Sequence, residues 1–206
     1  MRRAYDDPCG IARALNLVGE RWALLIVREL MLGPKRFSDL RRGLPGASQS
    51  VLTQRLGELE DAGVLARRRL GPPVGAAVYE LTEQGRALDP VLLALSNWGS
   101  RRPLTSAEQL SVDALVMAMR STYSGHDGEL TIALTVDGDE LTAVVRAGRL
   151  DIARRSAAEA DATISTTASR LRAALFTGAA LDDGEVGGDP SAAATFLRLF
   201  PRPAAG

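Results

Sequence analysis

The chain has 206 residues, 46% hydrophobic and 24% charged, a composition typical of a globular protein of one or two domains. No apolar run reaches the roughly 18 residues of a membrane-spanning helix, and no apolar segment follows the basic N-terminus as in a signal peptide. A single cysteine excludes an internal disulfide, so we expect a cytoplasmic protein without a membrane partner.

The formal net charge is zero, yet the two halves of the chain carry opposite charges. Residues 1–103 contain 16 Lys and Arg against 11 Asp and Glu, a net of +5, whereas residues 104–206 contain 9 against 14, a net of −5. This asymmetry predicts two domains, 1–102 and 103–206, and a polyanion as the partner of the first.

The first domain begins with short helices. The segment 20–30 is apolar on almost every side and predicts a buried helix that Gly33 and Pro34 terminate. After a second turn, Ser48 is a good N-cap, and the helix that follows has leucines on one side and small polar residues on the other. Two short helices joined by a glycine-containing turn predict a helix-turn-helix.

A basic hairpin follows this motif. Residues 64–69 and 77–81 alternate apolar and polar side chains on either side of a Gly/Pro tip, and three arginines lie beside that tip. A helix-turn-helix followed by a basic hairpin is a winged helix, whose second helix enters the major groove while the wing contacts phosphate or the minor groove. Taken alone, each element is most simply a solvated surface, but their order favours double-stranded DNA.

The side chains expected at the DNA are short donors and acceptors on the second helix and cations on the flanking loop and wing. They are Lys35, Arg36, Ser48, Gln49, Ser50, Thr53, Gln54, Arg67, Arg68 and Arg69. Arg55 falls on the apolar side of the same helix, so we expect it to pair with a carboxylate or a helix end. Gly57 either permits close backbone approach or is simply tolerated.

An apolar stripe at helical spacing follows the wing. It consists of Leu88, Leu92, Leu95 and Trp98. A small winged helix does not need this much additional apolar surface, so the stripe predicts a dimer interface, in keeping with two-fold proteins on palindromic sites. The alternative is that it packs against the next domain.

Residues 8–100 resemble the HxlR family of winged-helix transcriptional regulators. The resemblance rests on a cysteine near the start, G-x-R-W, L-x-G-x-x-R-F-S-D-L, S-x-x-x-L-x-x-R-L-x-x-L, Y-x-L-T-x-x-G and a closing W-G. It implies a homodimer, a pseudo-palindromic operator contacted by the helix after Ser48 and by the wing, and no catalysis. The wing tip, LGPPVGAAV, departs from the family in lacking extra charges.

The N-terminal cysteine of some family members senses electrophiles or oxidants, and it aligns with Cys9. A thiolate is the reactive form, and Arg13 lies close in sequence. A thiol-based redox-sensing regulator is therefore an alternative function. The competing interpretation is a small residue at a helix start.

The sequence of the second domain predicts a small α+β fold with an antiparallel sheet packed on helices. The segment RPLTSAEQ, residues 102–109, is expected to be a linker in which Ser106 caps the first helix of this domain. Alternating residues then flank a turn at Asp137-Gly138, two further strands follow, and helices are expected at 169–178 and from Pro190. His126 is the only histidine and lies in a predicted turn, so no catalytic site, metal site or cofactor is expected.

The order of these elements, with ADATIST, a helix ending in Phe-Thr-Gly, and G-D-P-x-x-A-x-x-F-L-x-L-F, resembles the sterol-carrier-protein-like fold. That fold implies an apolar tunnel for a small hydrophobic effector. The residues expected to line it are Met117, Ile132, Leu134, Val145, Ile164, Leu175, Phe176, Phe196 and Phe200. Alternatively they fill a solid core. A lipid or small-molecule carrier, dimerised by its N-terminal domain, is the remaining alternative function.

Overall fold

The computed structural model describes residues 4–71, 75–102 and 110–201. Residues 72–74 of the predicted wing tip and residues 103–109 of the predicted linker, including Ser106, lie outside the described residues. The chain divides into two compact units, Met1–Leu92 and Leu93–Gly206. The domain boundary predicted between residues 102 and 103 stays a prediction. No helix in the described part of the chain is both long and apolar enough to cross a bilayer.

The first unit consists of short helices and one hairpin. Its helices are α1 (Gly10–Val18), α2 (Ala23–Leu30), α3 (Phe37–Gly43), α4 (Gln49–Asp61) and α5 (Glu83–Arg86), and α6 (Asp89–Ser100) begins at its end. Strands β1 (Leu65–Arg69) and β2 (Ala77–Leu81) pair antiparallel, with Leu65 opposite Leu81. This is the predicted winged helix-turn-helix.

The core of this unit lies where α2 packs against α4 and β2. Ile26, Leu52 and Leu56 are fully or almost fully buried there, and each such side chain contributes about 1.5–3 kcal/mol of transfer free energy. A backbone bridge joins the loop before α3 to the wing: the Lys35 amide donates to the Tyr79 carbonyl at 3.0 Å, and the Tyr79 amide donates back at 2.8 Å. The wing is therefore anchored to the helical core.

The second unit is a five-stranded sheet with helices. After α7 (Val112–Thr122) come β3 (Leu130–Val136), β4 (Asp139–Arg146), β5 (Arg149–Ala153), β6 (Ala162–Thr166), α8 (Ala168–Thr177), β7 (Val186–Gly188) and α9 (Pro190–Leu197). The strand order is β5-β4-β3-β6-β7, in which β3 and β6 are parallel and all other pairs are antiparallel. The α+β class and the mainly antiparallel sheet are as predicted.

Two tight turns shape the β3-β4-β5 meander. Asp137 and Gly138 both have positive φ, as do Ala147 and Gly148 in the next turn. Two-residue loops of this kind match the twist of the flanking strands. Along β3, Leu130, Ile132, Leu134 and Val136 are buried in alternation with exposed or half-buried residues, so one face of the sheet carries the core.

Three details differ from the sequence-based expectations. Helix α8 begins after Thr167, whose hydroxyl accepts from the Arg170 amide, and not after Ser169. Strand β7 is an additional strand, and Gly188 at its end has a φ of +77°. Helix α7 begins at Val112 with Ser111 as its cap.

An ion cluster around the buried carboxylate of Asp113 joins three segments of the second unit. The Arg154 guanidinium donates two hydrogen bonds of 2.9 Å to the Asp113 carboxylate and one of 2.7 Å to Asp139. Burial alone would lower the pKa of Arg154, but Asp113 and then Asp139 outweigh it and raise that pKa. The cluster fixes the start of α7 against the β3-β4 turn and the end of β5.

Candidate nucleic-acid interface

Helix α4 begins with polar residues that are exposed to solvent, Ser48, Gln49 and Ser50. The Ser48 hydroxyl accepts a hydrogen bond from the Val51 amide at 3.3 Å and lies 3.1 Å from the Ser50 hydroxyl. This cap satisfies one of the amides that a helix start leaves unpaired. Because Leu52 and Leu56 are buried on the opposite side, the rotation of the helix about its axis is fixed.

The outward side of α4 carries the predicted base-reading residues. Gln49, Ser50, Thr53 and Gln54 are all exposed. The Gln54 side-chain amide donates to Glu58 at 3.0 Å, which holds it along the helix axis while its carbonyl stays available. The arrangement presents hydroxyls and amides on one accessible helix face, the groups that hydrogen-bond to base edges.

Arg55 takes the structural role that its position on the helical wheel predicts. Its guanidinium pairs with the Glu58 carboxylate and lies 3.6 Å from Glu20, and only 15% of the side chain is exposed. Its charge therefore joins α4 to the segment before α2.

The wing places three arginines on an exposed strand. Arg68 donates to Glu80 across the hairpin at 2.9 and 3.2 Å, so its charge is partly offset. The Arg67 guanidinium lies 6.0 Å from the centre of the Tyr79 ring. Arg69 is exposed, and its side chain makes no hydrogen bond or ion pair with another described residue. Arg67 and Arg69 are thus the wing cations least engaged by carboxylates.

The two cations predicted before α3 have different surroundings. The Lys35 ammonium lies 2.8 Å from the Glu29 carboxylate, and its side chain is 11% exposed. Glu29 is completely buried and also pairs with Arg28 at 2.8 Å. Lys35 is therefore engaged in the protein interior, whereas its neighbour Arg36 is exposed.

Two further cations lie beside the start of α4. Arg41 and Arg42, at the end of α3, are exposed and border a cleft that Gln49 also lines. Neither arginine is among the DNA contacts predicted from the sequence. The signal that points to them is a pair of basic residues immediately before the turn of the helix-turn-helix.

The predicted dimer residues are only partly exposed. Leu92 is buried within the chain and Leu88 is half-buried, whereas 46% of Leu95 and 64% of Trp98 are exposed. Additional exposed apolar side chains occur at Ile11 and Leu15, one helical turn apart on α1. Helix α1 therefore also carries an exposed apolar face. This face is not part of the dimer interface predicted from the sequence.

Cys9 immediately precedes α1 and is exposed with a free thiol. Its backbone amide donates to the Asp7 carboxylate at 2.8 Å. The thiol is accessible to a reagent from solvent.

The predicted tunnel residues of the second unit all belong to its core except Phe176, which is half-buried. Phe196 packs edge-to-face on Phe200 with ring centres 5.1 Å apart, and Tyr123 lies 6.2 Å from Phe200 on the other side. Such burial is what a solid core and a tunnel lining both require. The assignment of these residues to a tunnel stays a prediction.

Tyr123 carries a buried hydroxyl whose proton has no acceptor among the described residues. Burial raises the pKa of Tyr123, the His126 backbone amide lowers it, and the Asp127 charge raises it. A buried donor without an acceptor costs about 1–3 kcal/mol. This hydroxyl is the polar group of the aromatic cluster that a bound molecule could satisfy.

Comparisons with known proteins match most of the first unit and residues beyond it. A family model described as HxlR-like helix-turn-helix matches residues 17–107. The HTH-type transcriptional regulator YkvN of Bacillus subtilis is 37% identical over 91 residues, which cover 44% of this chain and 77% of the relative. Rv3095 of Mycobacterium tuberculosis, also an HTH-type transcriptional regulator, is 34% identical over 136 residues, 65% of this chain and 80% of the relative.

Among solved structures, the reduced form of the transcriptional regulator YodB from Bacillus subtilis is similar to this chain. The identity is 36% and the TM-score 0.42, and the match covers 46% of this chain and 94% of YodB.

Proposed function

The chain belongs to the HxlR-like helix-turn-helix family of transcriptional regulators, and from that premise we propose that it binds a pseudo-palindromic operator as a homodimer. The observation that carries the proposal is the exposed polar face of α4 together with two wing cations, Arg67 and Arg69, whose side chains pair with no carboxylate among the described residues. Thr53 and Gln54 on that face would read base edges in the major groove, while Arg67 and Arg69 on the wing would contact phosphates.

Self-association is proposed from the exposed apolar side chains. Trp98 and Leu95 lie three residues apart on α6, and Ile11 and Leu15 lie four apart on α1, so each pair occupies one helix face. A two-fold dimer would present two copies of α4 to half-sites about one helical turn apart. Native mass spectrometry of the full chain measures the dimer directly, and Trp98→Ser is expected to increase the monomer fraction.

DNA recognition is tested with duplexes selected by the full-length protein from a random library. Arg67→Ala is expected to weaken binding to selected and random duplexes alike, and to reduce its salt dependence, because each phosphate contact contributes about 0.9 to the log–log salt slope. Arg68→Ala should act in the same direction but less, since Glu80 already offsets its charge. Thr53→Ala and Gln54→Ala should instead erode the preference for the selected sequence, by about 1–3 kcal/mol for each lost base contact.

The control is Arg149→Ala, which removes an exposed cation from strand β5 of the second unit. If all four first-unit variants bind as the wild type does, α4 and the wing are not the DNA-binding surface. If the wild-type protein enriches no duplex from the library, the regulator assignment itself fails, and a carrier function would be favoured instead.

A small apolar effector bound by the second unit is the next part of the proposal. It is supported by the resemblance to sterol-carrier-like domains and by the Tyr123 hydroxyl, whose proton needs an acceptor beside Phe200. An effector with a carbonyl or carboxylate oxygen would satisfy that donor. Such a molecule alters operator affinity only if it binds the DNA-competent and DNA-incompetent conformations unequally.

Native mass spectrometry of the protein as purified tests for a bound small molecule. Tyr123→Phe keeps the ring and removes the donor, so it is expected to weaken retention of an oxygen-bearing molecule without unfolding the unit. An unoccupied wild-type protein that also gains no thermal stability from added oleate or an aromatic acid would refute the effector proposal.

Thiol sensing through Cys9 is the second candidate, favoured by the exposure of its free thiol. With one cysteine per chain, a disulfide would have to join two subunits. Cys9→Ala separates the candidates: loss of the response of DNA binding to diamide supports thiol sensing, whereas an unchanged response excludes it.

A further inference from the structure

A cleft opens on the first unit between the end of α3 and the start of α4. Its volume is about 560 Å³. Its lining combines two apolar residues with four that carry hydrogen-bond donors; the lining residues are Phe37, Ser38, Arg41, Arg42, Pro45 and Gln49. Because Gln49 is the first residue of α4, the cleft adjoins the helix face proposed to read DNA.

Neither arginine side chain of this cleft makes a strong ion pair with another described residue. Arg41 is exposed and makes no ion pair or hydrogen bond with another residue in the described part of the chain. The Arg42 side chain is 80% exposed and approaches the Asp39 carboxylate only to 3.6 Å. An exposed contact of that kind contributes little binding energy. Arg55, by contrast, is enclosed by two carboxylates.

A concave site with one unpaired and one weakly paired guanidinium group and a hydroxyl suits a tetrahedral oxyanion. Arginine offers a planar pair of donors that matches two oxygens of one phosphate. The Ser38 hydroxyl and the Gln49 amide add neutral donors, and Phe37 and Pro45 give the lining an apolar part that can contact the deoxyribose beside each phosphate. Asp39 is not a lining residue, but its carboxylate lies 3.6 Å from the Arg42 guanidinium and accepts from the Ser38 hydroxyl at 3.5 Å. Arg41 is therefore the cleft cation that no described carboxylate offsets.

We propose that this cleft binds one backbone phosphate of the operator in each subunit, with Arg41 making the main contact and Arg42 supporting it. The inference rests on the proposed DNA-binding function and adds a second phosphate anchor to the wing. The cleft adjoins the first residue of α4 and the wing follows its last, so the two anchors together would fix how α4 lies in the groove.

The test compares salt dependence for the full-length wild type, Arg41→Ala, Arg41→Lys and the matched control Arg149→Ala. Arg149, like Arg41, is exposed and makes no pair with another described residue, but it lies in the second unit. The probes are a library-selected duplex of about 30 base pairs, long enough for two half-sites, and a random duplex of the same length.

Two phosphate contacts are lost per dimer of Arg41→Ala, so its log–log salt slope should be shallower than that of the wild type by about 1.8. Between about 50 and about 200 mM salt, the affinity advantage of the wild type should therefore shrink by about 12-fold. The loss should be equal on both duplexes. Arg41→Lys keeps the charge, so it should keep the slope.

Ethylation interference gives an independent readout. One phosphate per half-site whose ethylation blocks the wild type should no longer matter to Arg41→Ala. The inference is overturned if Arg41→Ala keeps the wild-type slope, or if Arg149→Ala loses as much slope. It is also overturned if calorimetry shows that the cleft binds free inorganic phosphate through Arg41 while duplex binding ignores the substitution.

Each of these outcomes differs from failure of the proposed function. If the proposed DNA-binding function failed, the wild-type protein itself would select no duplex from the library, whereas the outcomes above all start from a wild type that does. Circular dichroism of Arg41→Ala is expected to match the wild type, since this side chain makes no pair with another described residue.

Discussion

Replacing Glu29 with glutamine should destabilise the first unit strongly although the two side chains have nearly the same shape. The Glu29 carboxylate is completely buried and lies 2.8 Å from both the Arg28 guanidinium and the Lys35 ammonium. Glu29→Gln removes the negative charge and leaves these cations beside a neutral amide. The perturbation therefore tests electrostatics without creating a cavity.

The expected cost follows from the burial of the three groups. Removing one partner of a buried ion pair typically lowers the free energy of unfolding by about 3–5 kcal/mol, because the other charge stays desolvated. Arg28 and Lys35 keep 17% and 11% of their side-chain exposure, so water can still reach them. We expect the lower end, about 3 kcal/mol, a large share of the 5–15 kcal/mol, roughly, that stabilises a typical domain.

Urea unfolding of the full chain, followed by tryptophan fluorescence, measures this cost. In a Trp98→Phe background the remaining fluorophore is Trp22, which reports on the first unit. With a denaturant slope of about 1 kcal/mol per molar for a unit of this size, the urea midpoint should fall by about 3 M. A second arm uses Lys35→Met alone and combined with Glu29→Gln.

The double variant should be more stable than the sum of the two single effects predicts, by about 1–2 kcal/mol, because a contacting pair is not additive. A midpoint shift below about 0.5 M for Glu29→Gln, or strict additivity in the double variant, would refute this account of the buried charge.

Three further outcomes are expected. A methyl group at position 43 would overlap the buried Glu29 carboxylate. The urea midpoint of Gly43→Ala should therefore fall by an amount comparable to that of Glu29→Gln. Gly188→Ala should lower the melting temperature of the second unit, since φ is +77° there and a Cβ would lie 2.8 Å from the Asp161 carbonyl oxygen. Hydrogen bonds from Arg170 and then Thr166 lower the pKa of Glu185 to about 2 from an ordinary 4.5. The stabilisation by Glu185 over Glu185→Gln should therefore be complete above about pH 4.5 and vanish as the pH falls through 2; a melting-temperature difference that stays constant down to pH 2 would contradict it.

The features that the sequence predicts correctly depend on local patterns. The leucine spacing after Ser48 determines which side of α4 is buried, and Asp137-Gly138 carries a turn type that few other residue pairs adopt. In both cases the physical cause lies within a few residues of its effect.

The features that it misses depend on contacts between distant segments. The glycine-rich β7 becomes a strand only because β6 offers it an edge, and Lys35 loses its expected exposure because Glu29 is buried beside it. The basic pair Arg41-Arg42 is visible in the sequence, but the cleft that it borders forms only when α3 packs beside the start of α4. Whether the second unit holds a tunnel depends on its internal packing, which the buried residue types do not determine.

The parallel pairing of β3 with β6 has a consequence for the synthesis of this protein. The β3-β4-β5 meander has short turns and can form as soon as Ala153 has been made, but one edge of β3 then stays unpaired until Thr166 follows. At about 5–20 residues per second of translation, that edge is open for about 1–3 s. It displays Ile132 and Leu134 beside free amides and carbonyls, the features through which nascent chains aggregate. The second unit is therefore most vulnerable while it leaves the ribosome, and a chain stopped between β5 and β6 would keep that adhesive edge permanently.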